Sequence, residues 1–538
     1  MRLTDKDLEN PAPWEKAGIE LPRFDRKAMI KATLAAPEWV HFGAGNIFRV
    51  FPAAAQQVLL ERGIEKTGPI VVAGRDGGII GQIFRPCDNL TLGVTLKADG
   101  GIQKKVIASI AGALWMGDKK DFETLKGIFR APSLKMVSLT ITEKAYNLYD
   151  PQGALLSDAA SDCAAGPEGD GSGAPRNYLA KIAALLYERF KAGKLPAAMV
   201  SMDNCSRNGD KLFAAIETFA AGWVKAGKAG GEFTEYLRDR SRVSFPCTMI
   251  DKITPGPDQG VKALLEKDGF TDTRIYTKNS STAPFVNAEE PEYLVIEDDF
   301  PAGRPALEKA GVLFAGRATV DKVEKMKVCT CLNPLHTALA IFGCLLGYTR
   351  IFEEMKNPDL VKLVETIGYK EGLPVAANPG ILSPKEFIDE VIRVRLPNPF
   401  MPDSPQRIAS DSSQKIPIRF GETIKAYLAD SALDIGNLKL IPLVLAAWVR
   451  YLMGIDDQGK PFTVSPDPLY ATLAPALGGI TLGQKGPFRS VLEPILSDKR
   501  IFAVNLYEAG LGEKVEKYFE ELIAGPGAVA ETLARHVN

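Results

Sequence analysis

Trp39-Val-His-Phe-Gly43 reads as a strand that stops at glycine and passes, through Gly43 and Gly45, into a helical pattern from about Phe48 to Glu61. A strand that turns on glycines into a helix is the opening of a crossover unit, and no other segment restricts the chain as much. Gly43 can take the tight turn, Gly45 lets another group approach the backbone, and the start of the helix offers free N–H groups to an anion. The segment His41–Arg49, HFGAGNIFR, lacks the third glycine of G-x-G-x-x-G because Phe48 stands in its place. An ordinary strand-to-helix turn therefore accounts for it equally well.

The segments that follow extend the pattern. Pro69–Arg75, Met136–Thr142 and Ala198–Asn204 read as further apolar strands, while Asn177–Gly193 and Asn208–Gly227 carry apolar residues at helical spacing. Buried strands alternating with helices predict a parallel sheet covered on both faces, and right-handed crossovers make it doubly wound. Ser161–Pro175, rich in Gly, Ala, Ser and Asp, reads as an exposed, mobile loop. The texture changes near Asp298-Asp-Phe-Pro-Ala-Gly-Arg-Pro305. Beyond it helical patterns dominate: His336–Leu346, Asn357–Tyr369, Pro384–Arg395, Ile418–Ser431 and Leu438–Met453. The expected fold class is α/β, with an N-terminal Rossmann-type doubly wound domain over 1–299 and a mainly α-helical C-terminal domain over 300–538.

Composition narrows the function. Among 538 residues, 65 Lys and Arg stand against 66 Asp and Glu, so no basic excess follows a nucleic-acid backbone, and no nucleic-acid partner is expected. The first residues lack the apolar core of an export signal, and the apolar run Leu440–Val449, with Pro442 inside it, is too short to span a bilayer. Seven scattered cysteines suit a reducing compartment, so a cytoplasmic location without membrane association is expected. With only three histidines, His41, His336 and His536, a Cys/His zinc site is a poor expectation, and no metal is assigned.

A dinucleotide reading places Gly43, Gly45, Asn46 and Ile47 at the pyrophosphate, with Arg75 and Asp76 at the end of the second strand. A carboxylate there accepts hydrogen bonds from the adenosine ribose, which favours NAD; an arginine can instead hold a 2′-phosphate, so NADP stays open. A turn before Gly77 explains Asp76 as well. For alcohol oxidation without a metal, the chain must supply a base and oxyanion donors. Tyr187 and Lys191 match Y-x-x-x-K, but share one face of an amphipathic helix and read as a structural pair. The better cluster is Glu324–His336, EKMKVCTCLNPLH. Asn333 before Pro334 is a helix start with a capping side chain, His336 lies three residues on, and Lys327 lies just upstream. A lysine shielded in a cleft can serve as base; a solvated charge in DKVEKMK is the alternative.

These residues resemble the polyol-specific long-chain dehydrogenases, which include mannitol 2-dehydrogenase, fructuronate reductase (mannonate oxidoreductase) and tagaturonate reductase. The resemblance runs along nearly the whole chain in ordered islands: HFGAGNIFR, SLTITEKAY, VSMDNCSRNGD, FPCTMIDKITP, EDDFPAGRPALEKAGV, MKVCTCLNPLHTALA, NPFMPDSPQRIASDSSQK and AAWVRYLMGIDDQG. It implies a Rossmann-type domain followed by a helical domain. It also implies Lys327 as general acid/base, Asn333 and Asn204 as oxyanion partners and His336 as their orienter. Asp251, Arg407 and Lys415 are implied as substrate-binding residues, and Glu143 as a group assisting proton movement. The spacing from Lys327 to Asn333 is six residues, one longer than is usual in the family. In an unbroken α-helix one extra residue swings Lys327 by about 100°; a break before Pro334 or a π-bulge would absorb it.

Phe48 and Phe51 are similar to the uronate-reductase branch rather than to mannitol enzymes, which tend to carry histidines there. With a basic pair for a carboxylate, the expected reaction is NAD-dependent interconversion of a keto-sugar acid and an aldonate, of the fructuronate/mannonate type. Mannitol/fructose is the alternative substrate pair. A non-catalytic sensor of NADH and a sugar acid, and an epimerase using NAD transiently, are the alternatives of other classes. The expected partners are small-molecule sugar acids or polyols, with no protein partner inferred.

Overall fold

A computed structural model describes residues 1–171, 173–278 and 280–538. The chain divides into two compact units, Met1–Val320 and Asp321–Asn538. The expected division at 299/300 falls earlier, and strand pairing gives the reason. Past Phe300 the chain returns as Leu313–Ala315 to extend, in parallel, the strand Tyr293–Glu297, itself antiparallel to Thr248–Asp251.

The first unit is built on a six-stranded sheet: β1 (Trp39–Phe42), β2 (Ile70–Ala73), β3 (Gly112–Trp115), β4 (Met136–Leu139), β5 (Ala197–Ser201) and β6 (Val243–Ser244). All neighbours pair in parallel, in the order β3-β2-β1-β4-β5-β6. This is the doubly wound dinucleotide-fold order, with its switch point between β1 and β4. Strand periodicity sends alternate residues to opposite faces. Val40, Phe42, Val72, Val137 and Leu139 join one apolar core, and Trp39, Val71, Ala73, Met136 and Val200 the other. A second, mixed sheet joins Ile19–Glu20, Ile102–Ile107, Thr91–Leu96 and Phe285–Glu289.

Two local expectations change here. The helix after the glycine turn comes in two pieces, Asn46–Val50 and Pro52–Glu61, because Phe51 leaves helical geometry (φ −125°, ψ −77°) immediately before a proline. Ser161–Pro175 is not one exposed loop: Ser157–Ala165 is a helix. Asp162, buried, accepts hydrogen bonds from the backbone N–H groups of Arg176 and Asn177, and its carbonyl from Trp223 Nε1. Ser172 lies outside the described residues.

The second unit is helical. Its centre is Asn333–Leu346 and Leu440–Tyr451, the latter buried throughout. Four segments wind with π rather than α geometry: Met326–Cys331, Thr366–Gly372, Val391–Arg395 and Pro417–Gly421. The first packs against the second and the fourth. The second has a structural task. It places Glu371, whose carboxylate accepts from the N–H groups of Lys439, Leu440 and Ile441 at 2.8, 2.7 and 2.8 Å. Those donors open the buried helix Leu440–Tyr451 and have no partner within it. The helical run Arg317–Leu346 is long and apolar enough to cross a membrane, but 78% of its most apolar stretch is buried inside the protein, as in a core helix.

Candidate active site

In the first unit the site features gather at the carboxyl ends of the central strands, where a doubly wound sheet binds its ligands. Gly43 ends β1 with φ +127°, and a Cβ there would lie 2.2 Å from the Thr140 carbonyl oxygen at the end of β4. Only glycine permits that approach. Gly45 differs: a Cβ there meets no atom within 4 Å, so its backbone borders open space. Phe48, in the place of the third glycine, is fully buried and stacks on His41 with ring centroids 3.6 Å apart. The missing glycine is thus a core aromatic. Asn46 donates from Nδ2 to the Pro255 carbonyl at 3.1 Å, and Ile47 packs against the second core.

Arg75 is exposed and Asp76 buried. Asp76 Oδ1 accepts from Gly78 N at 2.9 Å and Tyr276 OH at 3.1 Å, and lies 3.5 Å from Lys278 Nζ. Oδ2 has no hydrogen bond among the described residues, so one oxygen anchors the side chain and the other is available to a ribose. The open Gly45 backbone and this half-engaged carboxylate fit a dinucleotide.

Asn204 follows β5 and is exposed; Asp251 ends the strand Thr248–Asp251 and is buried. Glu143, largely exposed, pairs with Lys211 Nζ at 2.5 Å. Between them sits a residue that the sequence reading passed over. Asp203, buried, accepts from the N–H groups of Ile141 and Thr142 and from the Tyr146 hydroxyl. The VSMDN island contains it, but the neighbouring asparagine drew the attention. Tyr187 packs against Phe190, Trp223 and Phe233, with Lys191 over its ring, so that pair is structural.

In the second unit Lys327, Asn333 and His336 lie on one helical run. Lys327 is 2% exposed and sits in the π-helical segment Met326–Cys331. Its carbonyl accepts from Leu332 N at 3.1 Å, an i→i+5 bond. Leu332 departs from helical angles (φ −123°, ψ −62°), and Asn333 is the first residue of the α-helix. A π turn takes one residue more than an α turn for the same rotation. The six-residue spacing therefore keeps the register that a spacing one shorter has in an α-helix. The expectation that the Asn333 side chain caps this helix is corrected: no side-chain cap is made. The π turn leads the backbone into the helix and satisfies the Leu332 N–H.

His336 Nε2 lies 3.5 Å from Asp403 Oδ2 and makes no hydrogen bond among the described residues. Burial pulls the imidazole down to about 4, with Asp403 opposing the shift, so the ring is neutral at neutral pH. Asp403 also pairs with Arg407, whose side chain is 64% exposed. Lys415, half-buried, donates to the carbonyls of Ile408 and Ser410, and burial lowers its pKa. Arg419, unremarked in the sequence, is half-buried in the π segment Pro417–Gly421 and donates to Thr337 Oγ1; loss of solvation pulls it down to about 10. A period of 3.6 does not place residues in such a turn, which hid it. Among the described residues no group of three or more His, Cys, Asp and Glu could hold a metal ion.

The strand order and the glycine turn define a doubly wound dinucleotide fold, followed by a helical second unit. The chain belongs to the mannitol dehydrogenase family: residues 37–309 match the mannitol dehydrogenase Rossmann domain and 319–523 the mannitol dehydrogenase C-terminal domain. It is 52% identical to the D-mannonate oxidoreductase of Thermotoga maritima, covering 100% of this chain and 99% of that protein. Identity to the mannitol 2-dehydrogenase of Aspergillus fumigatus is 30%, over 87% of this chain and 88% of the other. Among solved structures, the Pseudomonas fluorescens mannitol 2-dehydrogenase in ternary complex with NAD and D-mannitol matches with TM-score 0.71 and 26% identity, covering 99% of each chain. A substrate-free D-sorbitol dehydrogenase matches in fold, with TM-score 0.76 and 23% identity over 98% of this chain and 99% of that one.

Proposed function

We propose that the chain is an NAD-dependent oxidoreductase acting on a secondary alcohol and interconverting D-mannonate with its keto acid, fructuronate. The carrying observation is the 52% identity to a D-mannonate oxidoreductase along the whole chain, against 30% for a mannitol 2-dehydrogenase. Gly43, Gly45, Asn46 and Ile47 hold the dinucleotide in the first unit, Asp76 Oδ2 takes the adenosine ribose, and Arg75 flanks it. The second unit carries the acid/base group. Seven scattered cysteines fit a reducing compartment, which supports a cytoplasmic reaction.

Bound nicotinamide supplies and accepts the hydride. The protein moves the proton. Lys327 takes it from the substrate hydroxyl in oxidation and returns it in reduction. Asn333 and Asn204 donate hydrogen bonds to the oxygen as charge develops, and neutral His336, facing Asp403, orients it. Arg407 and Lys415 are assigned to the carboxylate and Asp251 to a sugar hydroxyl. Glu143, poised with Lys211, relays the released proton toward solvent.

The test is oxidation of NADH and NADPH at 340 nm with fructuronate, tagaturonate and fructose offered separately. NADH with fructuronate is the expected active pair. Lys327→Ala lowers kcat by about 10²–10⁴-fold and leaves NADH binding intact. Equal rates for the variant and the unaltered chain remove Lys327 as base. NADH binding without turnover of any of the three ketones overturns the enzyme reading.

A further inference from the structure

We propose that Asp203 is a positioning residue, a clamp that holds the turn after β4 in a strained shape and so sets Glu143 and Asn204 for the reaction; this rests on the dehydrogenase reading above. Thr142 has φ +82° and ψ 145°. A β-branched side chain rarely takes a positive φ, and such residues persist only where their surroundings hold them. Asp203 does the holding. Its Oδ1 accepts from Ile141 N and Thr142 N, both at 2.8 Å, and its Oδ2 from the Tyr146 hydroxyl at 2.6 Å. Tyr146 shares a further hydrogen bond with Ser201 Oγ at 2.8 Å, which ties the turn to the end of β5.

The clamp itself is fixed from behind. Asn208 Nδ2 donates to the Asp203 carbonyl at 2.8 Å and to Thr248 Oγ1 at 3.0 Å. On the other side of the turn, Thr140 Oγ1 contacts His41 Nε2 at 3.0 Å, and the Thr140 carbonyl closes on Gly43. One carboxylate thus joins the ends of β4 and β5 beside the switch point. The residues next to its two attachments, Glu143 after Thr142 and Asn204 after Asp203, are the ones assigned to the chemistry. A helix or strand core has no need of a strained threonine here; a site that must aim two side chains does.

The test uses the full chain. Asp203→Ala lowers kcat for fructuronate by roughly a hundredfold, as expected when reacting groups are displaced by about an ångström, while KM for NADH stays unchanged. Adding Thr142→Gly to Asp203→Ala restores much of the lost kcat, because glycine adopts a positive φ without a clamp. Asp203→Asn, which keeps an acceptor for the two N–H groups, retains more activity than Asp203→Ala. An undiminished kcat in Asp203→Ala overturns the proposal. So does a loss that Thr142→Gly leaves untouched while the melting temperature falls, which is the signature of general damage. If the unaltered chain turns over no keto-sugar acid, the dehydrogenase reading falls separately. Hydrogen exchange then judges the clamp: selective loss of protection at Ile141 and Thr142 in Asp203→Ala supports it, and unchanged protection overturns it.

Discussion

The two units place their chemistry by opposite means. In the first, the candidate residues stand where regular elements end: Gly43 and Gly45 after β1, Asp76 after β2, Asn204 after β5. In the second, they stand inside helices whose winding changes. Lys327 lies in one π segment and Arg419 in another. A strand end tolerates changes of loop length beyond it, because the loop absorbs them. A position inside a helix is fixed by rotation, so one residue more or less moves the side chain around the axis. The family resemblance and the π turn meet on this point, since the extra residue before Asn333 is the one the turn takes up.

The sharpest way to break this comparison is a change of one residue near Lys327. Inserting an alanine after Val328 leaves the run with no further turn to absorb it and swings Lys327 by about 100° relative to Asn333. The expected loss of kcat matches that of Lys327→Ala, about 10²–10⁴-fold. Deleting half-buried Val328 converts the π turn to an α turn and keeps the register, so the activity measured at 340 nm stays within about tenfold of the parent. If insertion and deletion are equally harmful, the turn does more than take up a residue.

A second prediction concerns what π winding does for stability. Glu371→Ala removes the acceptor of three buried N–H groups at the head of Leu440–Tyr451. The expected cost is about 3 kcal/mol, read as a lower urea midpoint for loss of helix. NADH binding by the first unit persists at urea concentrations that unfold the second. Simultaneous loss of both would contradict independent placement.

These tests also show why the halves were unequally legible. β1, β2, β4 and β5 were readable because short apolar runs of strand length between polar or turn-forming residues have few alternatives. The doubly wound class then followed from crossover handedness, while the strand order did not. The helices of the second unit were readable as helices, but their π segments were not, since apolar spacing reports a face and not the hydrogen-bond step. The spacing from Lys327 to Asn333 revealed one of them only against the family pattern. Asp203 escaped because a buried acid is recognised by what it bonds, and its partners Ile141 and Tyr146 are distant in sequence.

The glycine turn separates folding from binding within the first unit. Gly43→Ala places a Cβ 2.2 Å from the Thr140 oxygen on a residue with φ +127°, and so lowers both the melting temperature and NADH affinity. Gly45→Val meets no protein atom at Cβ, so the melting temperature holds while NADH affinity, followed by fluorescence titration, falls about tenfold or more. Unimpaired binding in Gly45→Val would move the dinucleotide off this turn.

The expected effect of pH is a slope, and it contrasts two buried acids. Asp203 accepts three hydrogen bonds in the first unit. Glu354 in the second is wholly buried, neither oxygen has a hydrogen-bond partner among the described residues, and it presses on Gly343. Burial pushes Glu354 up to about 9, whereas in the unfolded chain a glutamate titrates near ~4.3. Between those values the folded protein holds a proton that the unfolded chain has released. Stability is therefore greatest below the unfolded pKa and is lost as pH rises toward 9, by at most ~1.4 kcal/mol per pH unit. Glu354→Gln removes the ionisable group and keeps its shape. Its unfolding midpoint falls less steeply than the parent's between pH 5 and pH 9, read as ~1.4 kcal/mol per unit or less. Parallel slopes would mean that Glu354 is ionised in the fold and has found a partner, and the contrast between the two acids would disappear.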